Sequence, residues 1–335
     1  MSNDPIRVGL IGHGLAGGII HAPLIEAAGD FRITAVATSR DISARRDRPR
    51  RGDPADVVQA DDVDLVVVAS PNETHVPLAT AALQAGKHVV LDKPFALSVA
   101  DADALIALAA ENRRVLTIFH NRREDGDFRA VREKIASGAL GEVGLFEARW
   151  DRFRPEAAPA WRNSTQPGSG MLWDLGPHLI DQVLQLFGSP DWMRADRATQ
   201  RDGAVADDYF ELTFAYGRMR AIVSSCSVVA APRPRFSAHG TKASLLTHGI
   251  DPIEALLRQG GHPADADFRE RLPAIPATLA TPNGQELLDI AAGDWVDFYR
   301  KTAAAVRGEG PPPVEASEAR EVIAMIEQAF AQVRG

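Results

Sequence analysis

The stretch Ile6–Gly18, IRVGLIGHGLAGG, decides the fold. A mostly apolar run from Ile6 to Ile11 breaks at Gly12. Gly12, Gly14 and Gly17 then fall at the spacing G-x-G-x-x-G, and apolar residues resume at Ile19 and Ile20. This pattern predicts a buried strand, a tight glycine turn and a helix that begins at Leu15. Gly12 permits the turn, Gly14 lets the backbone approach a pyrophosphate, and Gly17 lets the helix press onto the strand. The helix start, with Leu15 beside the turn, offers unpaired N–H groups and a positive dipole end to phosphates. Dinucleotide binding is therefore expected, against the simpler reading of a turn that serves packing alone.

Working outward, strands and helices alternate through the first third. Strands are expected at Ile33–Ala37, Leu65–Ala69, His88–Leu91 and Val115–Phe119. Helices are expected over about 15–28, 73–85 and 98–111, and Gly29 and Gly86 serve as stops. The segment 39–60, rich in Arg, Asp and Pro, reads as a surface loop with a short helix. Alternation of this kind predicts a Rossmann-type, doubly wound parallel sheet in residues 1–121, with its strand ends along one edge. Residues 122–335 read as a second, α+β domain on an open, mostly antiparallel sheet. Its expected elements are a helix over about 124–137 and strands at 143–150, 209–214, 218–229 and 235–239. Tyr216-Gly217 reads as a hairpin turn. Residues 251–290 read as a long excursion with little periodicity, a lid or a subunit contact. A final amphipathic helix is expected over about 317–333.

Composition narrows the function classes. With 335 residues, 45% hydrophobic and 24% charged, the chain suits two globular domains. A net charge of -8 argues against nucleic-acid and membrane-surface partners. One cysteine, Cys226, excludes an internal disulfide and a thiolate metal cluster. Without a signal-like segment or a spanning apolar run, a cytoplasmic location is expected.

Two stretches carry chemistry. Leu91-Asp92-Lys93-Pro94 closes the fourth expected strand and puts Lys93 at the ligand edge of the sheet. A lysine there can stabilise a substrate oxygen, although a surface lysine beside an aspartate is equally common. In Trp173–Asp181, WDLGPHLID, Pro177 suits a first helical turn, so a helix is expected to start there and run to Leu186. Asp174 and His178 then face one way, and a carboxylate with an imidazole can accept and orient a hydroxyl proton near neutral pH. Beside this stand a helix-capping role for Asp174 and a buried structural role for His178. A metal site is not expected here.

These residues together resemble the Gfo/Idh/MocA oxidoreductases. The resemblance rests on the glycine turn, Ala69-Ser70-Pro71-Asn72 with His75, Lys93-Pro94, Asn121-Arg122-Arg123, and Asp174 with His178. Within the family the chain looks closest to the scyllo-inositol dehydrogenase group, through Phe119–Arg123, Asp151–Pro155, Pro167–Gly170 and Pro177–Asp181. The resemblance implies that Lys93, Asp174 and His178 are catalytic, with His178 as acid/base and Asp174 orienting it and the substrate hydroxyl. It implies a cyclic polyol or sugar as substrate and a homodimer or homotetramer as the assembly. Asp92 departs from the family's usual Glu, and Gly168-Ser169-Gly170 from its usual Gly-Gly. Ser70, Asn72 and His75 are expected near the dinucleotide. Asn121, Arg122, Trp161 and Arg162 are expected at the substrate.

Cofactor choice is read at the end of the second strand. NAD sites place Asp or Glu there for the ribose hydroxyls. Here the sequence is Ala37-Thr38-Ser39-Arg40, with no acid before Asp41. Ser39 and Arg40 suit a 2′-phosphate, which favours NADP(H) over NAD(H). The alternative has Arg40 solvated and Asp41 turned inward. The expected activity is hydride transfer between nicotinamide and a secondary alcohol. A glycosidase using the dinucleotide transiently and a non-catalytic cofactor-binding regulator are the alternatives.

Overall fold

A computed structural model of the chain describes residues 4–40, 50–157 and 163–332. The chain divides into two compact units. The first holds 1–121, 253–272 and 294–321, and the second holds 122–252, 273–293 and 322–335. The division at Asn121/Arg122 stands where the composition changes. Residues 253–272 and 294–321 group with the first unit, although the sequence reading placed all of 122–335 in the second.

The first unit is a parallel sheet of six strands. β1 (Ile6–Ile11) leads through π-helical turns (Leu15–His21) into α1 (Ala22–Ala28). Then follow β2 (Phe31–Ala37), a short β3 (Arg50–Arg51), α2 (Pro54–Val58) and β4 (Leu65–Val68). A 3-10 turn (Asn72–Thr74) enters α3 (His75–Gln84), and β5 (His88–Leu91), α4 (Val99–Glu111) and β6 (Leu116–Ile118) complete the alternation. The strand order is β3-β2-β1-β4-β5-β6, every pair parallel. Successive crossovers therefore run outward in opposite directions from β1, which leaves a crevice beyond the carboxyl ends of β1 and β4. All four residues of β4 are fully buried, as a strand covered on both faces must be. Ser98 caps α4 by accepting the Asp101 N–H at 3.1 Å. β3 was not expected.

A 3-10 turn (Asn121–Glu124) leads from the last residue of the first segment into the second unit, which continues with α5 (Gly126–Ala136), β7 (Val143–Arg149), α6 (Met171–Phe187), β8 (Trp192–Ala198), β9 (Tyr209–Tyr216), β10 (Met219–Cys226), β11 (Phe236–Gly240) and β12 (Ser244–Thr247). After α7 (Ile253–Arg258) come β13 (Ile275–Thr281) and β14 (Gly284–Ile290), then α8 (Val296–Val306) and α9 (Ala316–Gln332). Of these, α7 and α8 belong to the first unit, and α9 starts in the first and ends in the second. Eight strands form one sheet in the order β14-β13-β12-β11-β7-β10-β9-β8. Every pair is antiparallel except β7 with β10. β9 and β10 close through the two residues Gly217 and Arg218, with Gly217 at φ +56°.

Two further sequence expectations change. Residues 251–290 are not an irregular excursion, since β13 and β14 form a hairpin at the sheet edge and α7 joins the first unit. β14 is largely exposed, and Leu287 is 83% exposed. A strand without a buried face leaves no period-2 signal to read. The helix carrying Asp174 and His178 starts at Met171, six residues before Pro177, which lies inside it. Its cap comes from far along the chain. Met171 N–H donates to the Asp207 carbonyl at 2.8 Å, and Leu172 N–H to the Asp207 carboxylate at 2.8 Å. A cap supplied 35 residues downstream has no local signature, so the proline looked like the start.

Candidate active site

In the first unit the candidate residues sit where parallel strands end. Gly12 closes β1 at φ +92°, with its N–H donating to the Ala37 carbonyl at 2.9 Å. A Cβ on Gly12 would lie 2.3 Å from the Ala69 oxygen, and one on Gly17 would lie 2.0 Å from the Gly12 oxygen. Both glycines are therefore required by packing. Gly14 is different, because the nearest atom to a Cβ there is Arg40 Nη2 at 3.8 Å. Space over Gly14 is open, it faces the first turn at Leu15, and a guanidinium borders it. That cradle fits a dinucleotide phosphate. Ser39 and Arg40 are exposed, and Arg40 N–H donates to Thr38 Oγ1 at 3.1 Å. Asp41 lies outside the described residues. His13 folds against Gly18, where a Cβ would stand 2.8 Å from its Nδ1, so it fills the loop.

The loop after β4 is tied internally. Ser70 Oγ and Thr74 Oγ1 are 2.5 Å apart, and Asn72 opens the 3-10 turn. His75 is buried, and both ring nitrogens face carbonyls: Nδ1 to Pro94 at 2.9 Å and Nε2 to Ser70 at 3.0 Å. Both ring nitrogens of this residue, expected near the dinucleotide, are therefore engaged by backbone carbonyls. After β5, Lys93–Pro94 is cis. Lys93 N–H donates to Asp92 Oδ1 at 2.8 Å, and Asp92 Oδ2 stands 3.8 Å from His21 Nε2. His21 is wholly buried, with Nδ1 2.6 Å from the Tyr299 hydroxyl. Burial pushes the Asp92 carboxyl up, but the neighbouring His21, then Lys93 and His75, outweigh it and hold it below the usual carboxylate range. Burial, with Asp92 adding to it, lifts the Tyr299 phenol well above its ordinary value. The shorter acid thus anchors the lysine's own backbone. Asn121 follows β6 at the same edge and is 5% exposed.

In the second unit Asp174 and His178 lie one turn apart on α6, 4% and 5% exposed. Arg152 Nη1 is 3.4 Å from Asp174 Oδ2. Asp207, not Asp174, caps the helix. Trp150 stacks on His178 with centroids 5.7 Å apart and planes at 28°. Two buried guanidiniums lie over the same indole, Arg122 at 4.8 Å and Arg235 at 5.2 Å. Gln182 links them, donating to the Arg122 carbonyl at 3.0 Å and accepting from Arg235 at 2.9 Å. Arg122 also meets Asp125 at 3.4 Å. The sequence reading placed Arg122 at the substrate; here its guanidinium is buried over the Trp150 indole. Arg123 makes a two-pronged ion pair with Asp181 at 2.9 and 2.6 Å. Burial brings Arg235 down to about 10 against the opposing pull of Asp127 and Asp125. Burial also lifts Asp127 to about 6 against the pull of Arg235. Trp161 and Arg162 lie outside the described residues.

Sequence reasoning missed Trp150, Arg235, Gln182 and Arg152 as surroundings of the pair, and His21 as the neighbour of Asp92. His21 carried one weak signal, a histidine on the apolar face directly after the glycine turn.

A family model for oxidoreductases with an NAD-binding Rossmann fold matches residues 6–120, and the GFO/IDH/MocA C-terminal domain matches residues 128–246. The chain belongs to the GFO/IDH/MocA oxidoreductase family. Within it, the chain is 39% identical to the oxidoreductase YdgJ of Escherichia coli (strain K12), over 97% of this chain and 95% of that one. It is 35% identical to scyllo-inositol 2-dehydrogenase (NADP(+)) IolW of Bacillus subtilis (strain 168), over 98% and 93%. A crystal structure from Klebsiella pneumoniae, 40% identical, superposes with a TM-score of 0.91 over 98% of this chain and 93% of that one. The protein is thus an oxidoreductase with an NAD(P)-binding Rossmann unit and a small-molecule substrate. No helix among the described residues is long and apolar enough to cross a membrane, and no trio of His, Cys, Asp or Glu among them is placed to hold a metal.

Proposed function

We propose that this oxidoreductase moves hydride between NADP(H) and a secondary alcohol of a cyclic polyol or sugar. The observation that carries the reading is the Asp174–His178 pair on one turn of α6, nine-tenths buried and backed by Trp150. A buried carboxylate beside an imidazole suits a hydroxyl proton better than a solvated one does. The substrate class is supported by the near full-length similarity to the dehydrogenase whose name specifies scyllo-inositol.

When bound, the dinucleotide supplies or accepts the hydride at its nicotinamide ring. Gly12, Gly14, Gly17 and Leu15 would hold its phosphates, with Ser70 and Asn72 on the neighbouring loop. His178 takes the hydroxyl proton during oxidation and returns it during reduction. Asp174 orients the hydroxyl and the imidazole. Lys93 steadies the negative charge that grows on the oxygen, and Asn121, Trp161 and Arg162 complete the substrate contacts. Ser39 and Arg40 select the phosphorylated dinucleotide, because they stand exposed beyond the end of β2, where the 2′ position is read, and residues 37–40 contain no carboxylate.

The test is a screen of inositols and hexoses with NADP+ and NAD+, read at the absorbance of the reduced cofactor. Turnover of a cyclic polyol or sugar with preference for NADP+ is expected. Arg40→Ala should weaken NADP+ about 10- to 100-fold, the worth of charge-assisted hydrogen bonds, and weaken NAD+ by clearly less. A large NAD+ preference that survives in Arg40→Ala would end the cofactor assignment. Release of a free sugar from glycosides without net cofactor change would replace the dehydrogenase reading.

A further inference from the structure

His75 is the first residue of α3, yet its ring is committed elsewhere. One nitrogen faces the carbonyl of Pro94, in the loop after β5, and the other the carbonyl of Ser70, in the loop after β4. Carbonyl oxygens only accept hydrogen bonds. A neutral imidazole has one donor nitrogen and one acceptor, whereas the imidazolium has two donors. Bridging two carbonyls from a fully buried position therefore needs both protons on the ring. A buried cation needs an anion nearby, and Asp92 provides one, since His75 is among the groups that hold its carboxyl in the charged form. The helix start works against a positive charge at this position, so the two charged hydrogen bonds and Asp92 must outweigh it.

The consequence falls on Lys93. Its backbone is gripped on both sides: Asp92 takes its N–H, and the carbonyl of the next residue, Pro94, is held by His75. Phe95 and Ala96, which follow, are 1% exposed, so the segment has one anchored path into the core. We propose that His75 is a positioning residue for Lys93: as a buried imidazolium it ties the loop after β5 to the loop after β4 and so fixes where the lysine side chain leaves the sheet edge. The functional part rests on Lys93 acting as proposed above. The clamp itself does not.

Three measurements on the full-length protein test it. With 15N-labelled histidine, through-bond spectra at neutral pH should show a bonded proton on both ring nitrogens of His75. With lysine labelled at Cε, five signals are expected, from Lys87, Lys93, Lys134, Lys242 and Lys301. His75→Gln carries both of its donor hydrogens on one nitrogen and cannot reach the two carbonyls that Nδ1 and Nε2 face from opposite sides of the ring. It should move the Lys93 signal, assigned through Lys93→Arg, and leave Lys87, before the opposite end of β5, in place. On a substrate found in the screen, His75→Gln should lower kcat about 10- to 100-fold, as a misplacement near 1 Å does. A His75 ring with a single proton, or a Lys93 signal unmoved in His75→Gln, overturns the proposal. Should that variant fail to fold, the wild-type ring spectrum decides. Absence of turnover by the wild type with every polyol and sugar would sink the functional reading and leave the two spectroscopic arms standing.

Discussion

The strand-end edge of the first unit and the α6 region of the second are built in opposite ways. At the edge, backbone does the work. Glycines take positions that side chains cannot, and Asp92 and His75 fasten main-chain groups on either side of Lys93. Around α6, side chains do the work. Asp174 and His178 sit on regular helix, and their surroundings are an indole and two guanidiniums from three distant segments, joined by an amide of the same helix. Backbone-built sites need particular residues at fixed spacing, whereas side-chain-built sites need only that remote residues meet. The first kind is readable in a motif and the second mostly is not.

The largest expected effect asks whether both regions carry the chemistry. Lys93→Ala and His178→Ala should each lower kcat by about 10²- to 10⁴-fold, the usual worth of a positioned acid, base or charge. Dinucleotide Kd and thermal midpoint should barely move in His178→Ala. A drop confined to one of the two variants would make the other region a bystander and remove the basis for comparing them.

Next comes the contrast inside the glycine turn. Gly17→Ala puts a methyl group 2.0 Å from the Gly12 oxygen. It should destabilise the protein by about 1–3 kcal/mol through overpacking, and weaken dinucleotide binding as a by-product. Gly14→Ala meets nothing closer than 3.8 Å. It should leave the unfolding midpoint within a degree or two and still weaken dinucleotide binding at least tenfold, because it occupies the approach path of the phosphates. Calorimetry and cofactor titration on both variants separate a glycine needed by the fold from one needed by the ligand. Equal loss of stability in the two would dissolve that distinction.

Legibility follows the same divide. β4 was readable because a strand buried on both faces is a continuous apolar run, β1 and β5 because they come close to one, and the turn was readable because only glycine satisfies it. Lys93 and the Asp174–His178 spacing were readable from their motifs. The start of α6 was not, because its cap is Asp207, and Pro177 then imitated a first turn. β14 was not, because an exposed edge strand has no face to bury. The roles of His21 and His75 were not, because a buried histidine in sequence does not say which carbonyl or carboxylate it meets.

A smaller effect tests the side-chain-built region. Trp150→Leu keeps apolar bulk but removes the face that stacks on His178 and carries both guanidiniums. Stacking and cation–π contacts of this kind are worth about 0.5–2 kcal/mol each. A fall in kcat of about tenfold is expected, with recovery in Trp150→Phe. No difference between Leu and Phe would mean that Trp150 only fills space.

A final contrast is in stability against pH, where two aspartates differ in sign. Asp127, in the second unit, is lifted to about 6 from an ordinary 3.8. Its protonated form is favoured on folding, so its contribution is full below about pH 4 and is lost as pH rises through 6. Relative to wild type, Asp127→Asn should therefore gain up to about 3 kcal/mol between pH 4 and pH 7, from two pKa units at about 1.4 kcal/mol each. Asp92, in the first unit, is held below the ordinary value. Its contribution is present above that value and disappears as pH falls through the lowered one, so the stability of Asp92→Asn relative to wild type should improve only in acid. Denaturant titrations of both variants from pH 3 to 7 read the two slopes. Slopes of the same sign would show that the carboxylate beside Lys93 is not held charged by its neighbours, and the contrast between the two regions would reduce to one of sequence spacing.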